Sequence, residues 1–117
     1  VKGLPPGDYG LHIHAVGRCV GPDFASAGPH FNPAGRQHGR DNPLGSHDGD
    51  LPNITVDAGG AGALNHLVPG LRLADGATPV LDGDGAAVVL HGRPDDYRTD
   101  PAGNAGPRFA CAEFRKG

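Results

Sequence analysis

The chain has 117 residues, of which 37% are hydrophobic, and a formal charge of −3. This length fits one domain around one core, predicted to span residues 1–117. The negative balance argues against a nucleic-acid partner, and the longest apolar run, about Ala86 to Leu90, is far too short to cross a membrane.

The first predicted strand covers residues 9–16, where apolar and polar side chains alternate. A period of two places His12 and His14 on one face and Leu11 and Ile13 on the other. Residues 17–49 then lack any periodicity. An irregular segment of this length inside a compact domain is expected to be functional, to be disordered, or to contain a missed element of secondary structure.

Shorter strand signals follow, separated by turn residues. The later predicted strands cover residues 53–57, 63–68 (the weakest), 86–91 and 108–114, and a second irregular segment covers residues 92–107. The run Asp82-Gly-Asp-Gly85 lacks the rest of a calcium loop and is interpreted as a turn. Short strands, 21 glycines and 12 prolines together predict an all-β sandwich or barrel.

Histidines are the main candidates for chemistry. Two share a strand face (His12, His14), one ends a later strand (His91), and three lie in the first irregular segment with an aspartate (His30, His38, His47, Asp50). A lone loop histidine is usually a solvated polar residue, but a metal would supply the order that this segment otherwise lacks. Three imidazoles with a carboxylate suit zinc, and an imidazole-rich site suits Cu(II). The residues alone therefore predict one or two metals, including zinc.

The two cysteines, Cys19 and Cys111, lie near opposite ends of the chain. If paired, they close a loop of about 92 residues, which stabilises the fold by about 4–5 kcal/mol on the chain-entropy model. The alternative is two unpaired buried thiols. Pairing would indicate an oxidising compartment.

Six motifs in order now carry a resemblance: "LHIH", "GPHFNP", a following histidine, "HDGD", "VVLHGRPDD" and "GNAGPRFAC". From about Gly3 to Ala112 the chain resembles the copper/zinc superoxide dismutase family. The resemblance implies these roles: His12, His14, His30 and His91 as copper ligands; His30, His38, His47 and Asp50 as zinc ligands, with the His30 imidazolate bridging both metals; Arg108 beside copper; Asp95 linking the two sites; and Cys19–Cys111 as a disulfide.

The resemblance also implies a fold and an activity. The family fold is an eight-stranded Greek-key β-barrel. The implied reaction disproportionates superoxide to oxygen and hydrogen peroxide by alternate reduction and oxidation of copper, with one copper and one zinc per chain. Arg108 would bind the superoxide anion, and His30 would hold a proton for the peroxide.

Some features depart from the family pattern. About three family strands would precede the region where this chain begins. We therefore expect either a fragment of a longer protein, which we favour, or a partner that covers the surface those strands would cover. Glu113 stands where eukaryotic relatives have an apolar residue near their dimer contact, which argues against the eukaryotic type of dimer. A homodimer of another type is kept as an expected assembly. The run "DDYRTDPAGNAG" and the short second irregular segment look more like bacterial members, so a periplasmic or secreted location is predicted.

Two other function classes are weighed against the enzyme. A metal-binding or copper-delivery domain on the same fold is the main alternative, and a purely structural β-domain is the other. Relatives of the delivery type often lack copper ligands or the arginine, and here both are intact. His66 matches no ligand and is interpreted as a surface residue, and the sequon that begins at Asn53 is interpreted as incidental.

Overall fold

The computed structural model describes residues 1–68, 71–73 and 76–114. The strands in this part of the chain are β1 (Gly7–Tyr9), β2 (Leu11–His14), β3 (Ile54–Val56), β4 (Ala86–His91) and β5 (Arg108–Phe114). One turn of 3₁₀ helix covers Ala25–Ala27. The predicted all-β class is confirmed, and no helix among the described residues is long and apolar enough to cross a bilayer.

The strands form two antiparallel sheets. β1 pairs with β3 in a two-stranded sheet, and β2, β4 and β5 form a three-stranded sheet with β4 in the centre. The described residues do not close into a barrel. The side chains of β4 are almost all buried, as expected for an apolar run packed on both faces, and this fits its central position in the sheet.

Two of the strand predictions are confirmed at their full length, residues 86–91 and 108–114. The strand predicted over residues 9–16 is interrupted at Gly10, whose N–H donates to the Arg93 carbonyl at 2.8 Å. A Cβ at Gly10 would lie 2.9 Å from the Ala105 Cβ, so the backbone passes too close for a side chain. This contact separates β1 from β2.

The strand predicted over residues 63–68 is wrong. No strand forms there, and Leu67 is 83% exposed. An alternating pattern makes a strand only where a neighbouring strand pairs with it and one face is covered. The strand predicted over residues 53–57 is present but shorter, since only Ile54–Val56 pairs with β1.

The hydrophobic core is small. One cluster combines Ala27, Ala87 and Val89 with the half-buried Cys19 and Cys111. The other cluster contains Phe31, Val80 and Ala86, with further side chains packed around it. The largest fully buried side chains are His12, His14, His38 and Val89. Histidines therefore occupy much of the space that large apolar side chains usually fill.

Cys19 and Cys111 form a disulfide with a Cα–Cα distance of 5.8 Å. It ties the segment between β2 and β3 to β5. We call that segment the first loop (residues 15–53) and the segment between β4 and β5 the second loop (residues 92–107).

The first loop is anchored to β2 through the backbone of Ile13. The Ile13 N–H donates to Gly49 at 2.8 Å, and the Ile13 carbonyl accepts from Phe31 at 2.8 Å. The Gly49 N–H closes the set by donating to Phe31 at 2.9 Å. A Cβ on Gly49 would overlap the Ile13 carbonyl oxygen, so glycine is required at this crossing. Two distant parts of the loop are thus held beside the strand that carries His12 and His14.

Candidate metal centre

Four buried histidines converge on one point. Their ring nitrogens lie within 4.8 Å of one another, in the group His12, His14, His30 and His91. β2 presents His12 and His14 on one face, and β4 delivers His91 at its end. His30 arrives from the first loop through a backbone bridge to His14. The convergence therefore needs two strands of one sheet and the anchored loop.

Each of the four histidines has one buried ring nitrogen with no hydrogen-bond partner among the described residues. These atoms are His12 Nδ1, His14 Nε2, His30 Nε2 and His91 Nε2. A buried polar atom without a partner is costly, and four such atoms in one small group fit a bound cation. The donor set is entirely imidazole, a ligand type that suits copper as well as zinc, iron and nickel.

In three of these rings, the other nitrogen donates a hydrogen bond to an acceptor oxygen. His12 Nε2 donates to Asp95 at 2.6 Å, His14 Nδ1 to the Gly28 carbonyl at 2.8 Å, and His91 Nδ1 to the Gly106 carbonyl at 3.3 Å. A neutral imidazole that donates from one nitrogen has a lone pair on the other. The acceptors thus set the tautomer in which the unpartnered nitrogen can bind a metal.

A second group of side chains lies on the other side of His30. His30 Nδ1 lies 3.0 Å from Asp50 Oδ1, and His38 Nδ1 lies 2.9 Å from the same oxygen. His47 Nδ1 lies 3.2 Å from His30 Nδ1 and 3.3 Å from Asp50 Oδ1. A tetrahedral zinc ion with bonds of about 2.0–2.1 Å separates its ligand atoms by about 3.3 Å. Three nitrogens and one carboxylate oxygen at these spacings fit zinc.

His12 also comes within 4.8 Å of a set containing His30, His38 and Asp50. We assign His47 rather than His12 to the second group because both His12 nitrogens are already used: Nε2 donates to Asp95, and Nδ1 is the unpartnered atom of the first group. The Nδ1 atom of His47, in contrast, faces the same point as the other donors.

Asp95 connects the two groups. One carboxylate oxygen accepts from His12 Nε2 at 2.6 Å, and the other accepts from His38 Nε2 at 2.8 Å. The carboxylate is 1% exposed. Burial alone would raise the pKa of the Asp95 carboxyl, but its bonds to His12 and His38 hold that pKa well below its usual range. The charged carboxylate is therefore maintained between the two groups.

Burial and hydrogen bonding shift the pKa values of the buried histidines in two directions. Burial lowers the pKa of His14 to about 3 and those of His30 and His91 to about 4, and it also lowers the pKa of His12. These rings stay neutral, as metal ligands must be. Burial also opposes charge on His38, but hydrogen bonds to Asp50 and Asp95 outweigh it and raise the pKa of His38 to about 9. In the metal-free protein, a proton on His38 thus balances the carboxylates.

Arg108 lies in an open cleft of about 1310 Å³ that is also lined by the buried His14, His30 and His91. Its guanidinium donates to the carbonyls of Phe24 and Gly28, at 2.7 Å each. These two bonds hold the cationic group at the cleft wall beside the first histidine group.

A β-bulge aims Arg108 into this position. Leu90 pairs with Ala110, but His91 pairs with Arg108, so Phe109 is the extra residue. Bulges commonly redirect a side chain beside a functional site. With regular pairing, Phe109 would stand opposite His91.

Three residues of this region were not singled out as site residues from the sequence. The Asn53 side chain holds the Asp95 backbone, and the Tyr97 hydroxyl accepts the Asn53 N–H at 2.9 Å. A Cβ at Gly103 would overlap the Asp95 carboxylate, so only glycine fits there. The run Gly103-Asn-Ala-Gly106 pointed to the right loop, but these contacts join distant segments and leave no local pattern.

Comparison with known proteins identifies the family. Residues 1–114 match the family described as copper/zinc superoxide dismutase (SODC). The chain belongs to this family. It is 48% identical over 116 residues to a copper/zinc superoxide dismutase of Aquifex aeolicus, covering 97% of this chain and 68% of that protein. It is 45% identical over 108 residues to the superoxide dismutase-like protein YojM of Bacillus subtilis, covering 92% of this chain and 55% of that protein.

Solved structures support the family fold. A double mutant of a superoxide dismutase-like protein from Bacillus subtilis superposes with a TM-score of 0.94 at 44% identity, covering 99% of this chain and 77% of that chain. The chain spans between 55% and 68% of the length of the two curated relatives described above. The disulfide and the bacterial dismutase relatives are consistent with a periplasmic or secreted protein.

Proposed function

We propose that this domain catalyses the dismutation of superoxide with one copper and one zinc bound per chain. The observation that carries the proposal is the placement of His30. Its Nε2 is buried without a partner among the first group, and its Nδ1 lies 3.0 Å from Asp50 in the second. One ring thus faces two potential metal sites. Named relatives at 45–49% identity are copper/zinc superoxide dismutases, which supports the same activity.

The proposed ligands follow the two groups. The copper ligands are His12, His14, His30 and His91, and the zinc ligands are His30, His38, His47 and Asp50. Copper, when bound, supplies the one-electron redox chemistry that converts two superoxide anions into oxygen and hydrogen peroxide. The fit rests on the unpartnered nitrogens of the first group and on the spacing of about 3 Å in the second.

The chain's own residues bind the anion and handle the proton. Arg108 places a positive charge in the cleft that His14 and His91 line, where it attracts and orients superoxide. Nε2 of His30 is the atom that can hold a proton for the peroxide. Asp95 keeps the His12 and His38 rings in their ligating orientation.

A metal-binding domain without dismutase activity is the second candidate. One relative, at 45% identity, is named a superoxide dismutase-like protein rather than a superoxide dismutase, which supports this second candidate. The complete set of four converging histidines and the presence of Arg108 in the cleft favour the enzyme. We further propose that residues 1–117 belong to a single domain, that the protein is periplasmic or secreted, and that it can form a homodimer.

The test combines metal content with superoxide consumption by the loaded protein. We expect about one copper and one zinc per chain and rapid superoxide loss. Protein loaded with zinc alone should be inactive, because zinc has no redox chemistry. Full loading with both metals but no superoxide loss would replace the enzyme with the metal-binding domain.

A further inference from the structure

The Asn53 side chain makes two hydrogen bonds to the backbone of Asp95, which lies in the second loop. Its side-chain Nδ2 donates to the Asp95 carbonyl at 3.1 Å, and the Asp95 N–H donates to Asn53 Oδ1 at 2.8 Å. One planar amide therefore satisfies both backbone groups of a single residue. Alanine offers neither group, and aspartate would offer the acceptor without the donor.

Tyr97 completes the arrangement. Its hydroxyl accepts the Asn53 N–H at 2.9 Å, and its own N–H donates to Asp95 Oδ1 at 2.7 Å. The Arg40 guanidinium lies 3.9 Å from the centre of the Tyr97 ring, which ties the second loop to the first. Asn53 and Tyr97 thus hold both the backbone and the carboxylate of Asp95.

The Asp95 carboxylate contacts one histidine ring of each group, so its position affects both groups. Its two oxygens are 2.6 Å from His12 Nε2 and 2.8 Å from His38 Nε2. A rigid carboxylate can serve both rings at these distances only if its backbone is fixed. A shift of Asp95 would therefore rotate one ring from each group at once.

We propose that Asn53, supported by Tyr97, is a positioning residue that sets the geometry of both metal sites through Asp95. The proposal depends on the proposed function only for the identity of the metals. It also explains why the Asn-Ile-Thr sequence at residues 53–55 need not be a glycosylation site, since the Asn53 amide is engaged within the fold.

The main variant is Asn53→Ala, and Asn32→Ala is its matched control. Asn32 makes the same reciprocal pair of bonds with the backbone of Arg36, at 2.8 and 2.9 Å, in the same loop. The control therefore removes an equivalent pair of side-chain to backbone hydrogen bonds that does not involve Asp95. Both variants are prepared as holoprotein with copper and zinc, and a second set carries Co(II) in place of zinc.

The proposal predicts coupled changes at two sites. In Asn53→Ala, zinc should be lost to a chromophoric chelator about tenfold faster than in the parent protein, the low end for partners that orient ligands. The Co(II) visible spectrum, which reports His38, and the Cu(II) paramagnetic resonance spectrum, which reports His12, should both change. Asn32→Ala should keep both spectra close to those of the parent protein. A general loss of stability would not by itself alter both spectra in the folded holoprotein.

Tyr97→Phe serves as the milder variant if Asn53→Ala does not fold. It removes only the hydroxyl that accepts the Asn53 N–H and keeps the ring beneath Arg40. A smaller change in both spectra supports the proposal. Parent-like spectra and zinc release in a folded Asn53→Ala or Tyr97→Phe protein would overturn it. These readouts need bound metal but no turnover, so an inactive parent protein would count against the proposed function alone.

Discussion

At the scale of single residues, each histidine of the first group needs both of its ring nitrogens in defined positions. His14 donates from Nδ1 to the Gly28 carbonyl and leaves Nε2 free in the first group. His30 differs, because both of its nitrogens face candidate metal sites. An asparagine or glutamine could hydrogen bond in similar places, but neither offers two equivalent nitrogen lone pairs on opposite sides of a rigid ring.

Arg108 is the residue whose removal should separate binding of metal from catalysis. Its guanidinium hydrogen bonds to backbone carbonyls rather than to any histidine ring of the two groups, so Arg108→Ala should retain both metals. We expect its rate of superoxide loss to fall about tenfold or more, because the positive charge at the cleft is gone. Steady-state superoxide consumption at low ionic strength, beside metal analysis, measures this effect.

Arg98→Ala is the matched control, since Arg98 is an exposed arginine of the second loop. It changes the net charge equally but lies outside the residues that line the cleft. Equal rate losses in the two variants would mean that net charge, and not the position of Arg108, determines the effect.

At the scale of elements, the first loop behaves as a structural unit although it holds little regular secondary structure beyond the 3₁₀ turn at Ala25–Ala27. Asp50 is its organising side chain. Its Oδ1 lies close to His30 and His38, and its Oδ2 accepts the N–H groups of Gly39 and His47 at 3.0 and 2.9 Å. A single carboxylate therefore contacts side chains and backbone N–H groups from three parts of the loop.

Asp50→Ala should loosen residues 30–50 as well as weaken zinc binding. The substitution removes a metal ligand and leaves two buried backbone N–H groups without their acceptor, at a cost of about 1–3 kcal/mol each. Limited proteolysis of the zinc-loaded protein should show new cleavage within this range. Asp48→Ala, two residues away, serves as the control because Asp48 makes none of these four contacts. Unchanged protease resistance in Asp50→Ala would show that the loop is held by other contacts.

At the scale of the whole molecule, the interior is built around histidines rather than large apolar side chains. His12, His14 and His38 are fully buried, while the apolar clusters are composed mainly of small residues. The disulfide adds covalent closure over a sequence separation of 92 residues. The stability of the metal-free protein should therefore depend strongly on the protonation of its interior.

Metal-free protein should lose stability as the pH falls from about 6.5 towards about 4. The folded pKa values of His14, His30 and His91 lie at about 3 to 4, below the ordinary value of 6.5, so the unfolded chain binds more protons across this window. His38 acts in the opposite direction: its pKa is raised to about 9, so its contribution is fully present below about pH 6.5 and is lost as the pH rises from there through about 9. Thermal unfolding followed by circular dichroism measures the trend.

His66→Ala is the control for this titration. His66 is exposed and lies outside both histidine groups, so the variant should reproduce the parent profile. A melting temperature that stays constant across the acidic window would show that the buried histidines do not govern stability.

The sequence by itself determined the fold class, the two longest strands and the residues from which the site is built. Strands β4 and β5 were predictable because an apolar run and its neighbouring turns are local signals. The metal-site residues were predictable because six short motifs occur together in one order. The domain boundaries and the ligand roles stay predictions.

Only the tertiary structure decided how these residues meet. The break at Gly10, the missing strand at residues 63–68 and the bulge that aims Arg108 all depend on contacts with distant backbone. The grip of Asn53 on Asp95 joins residues 42 positions apart. Local sequence encodes local conformation and ligand chemistry, whereas the distances between donors are set by the sheet register and by the crossing of two irregular loops.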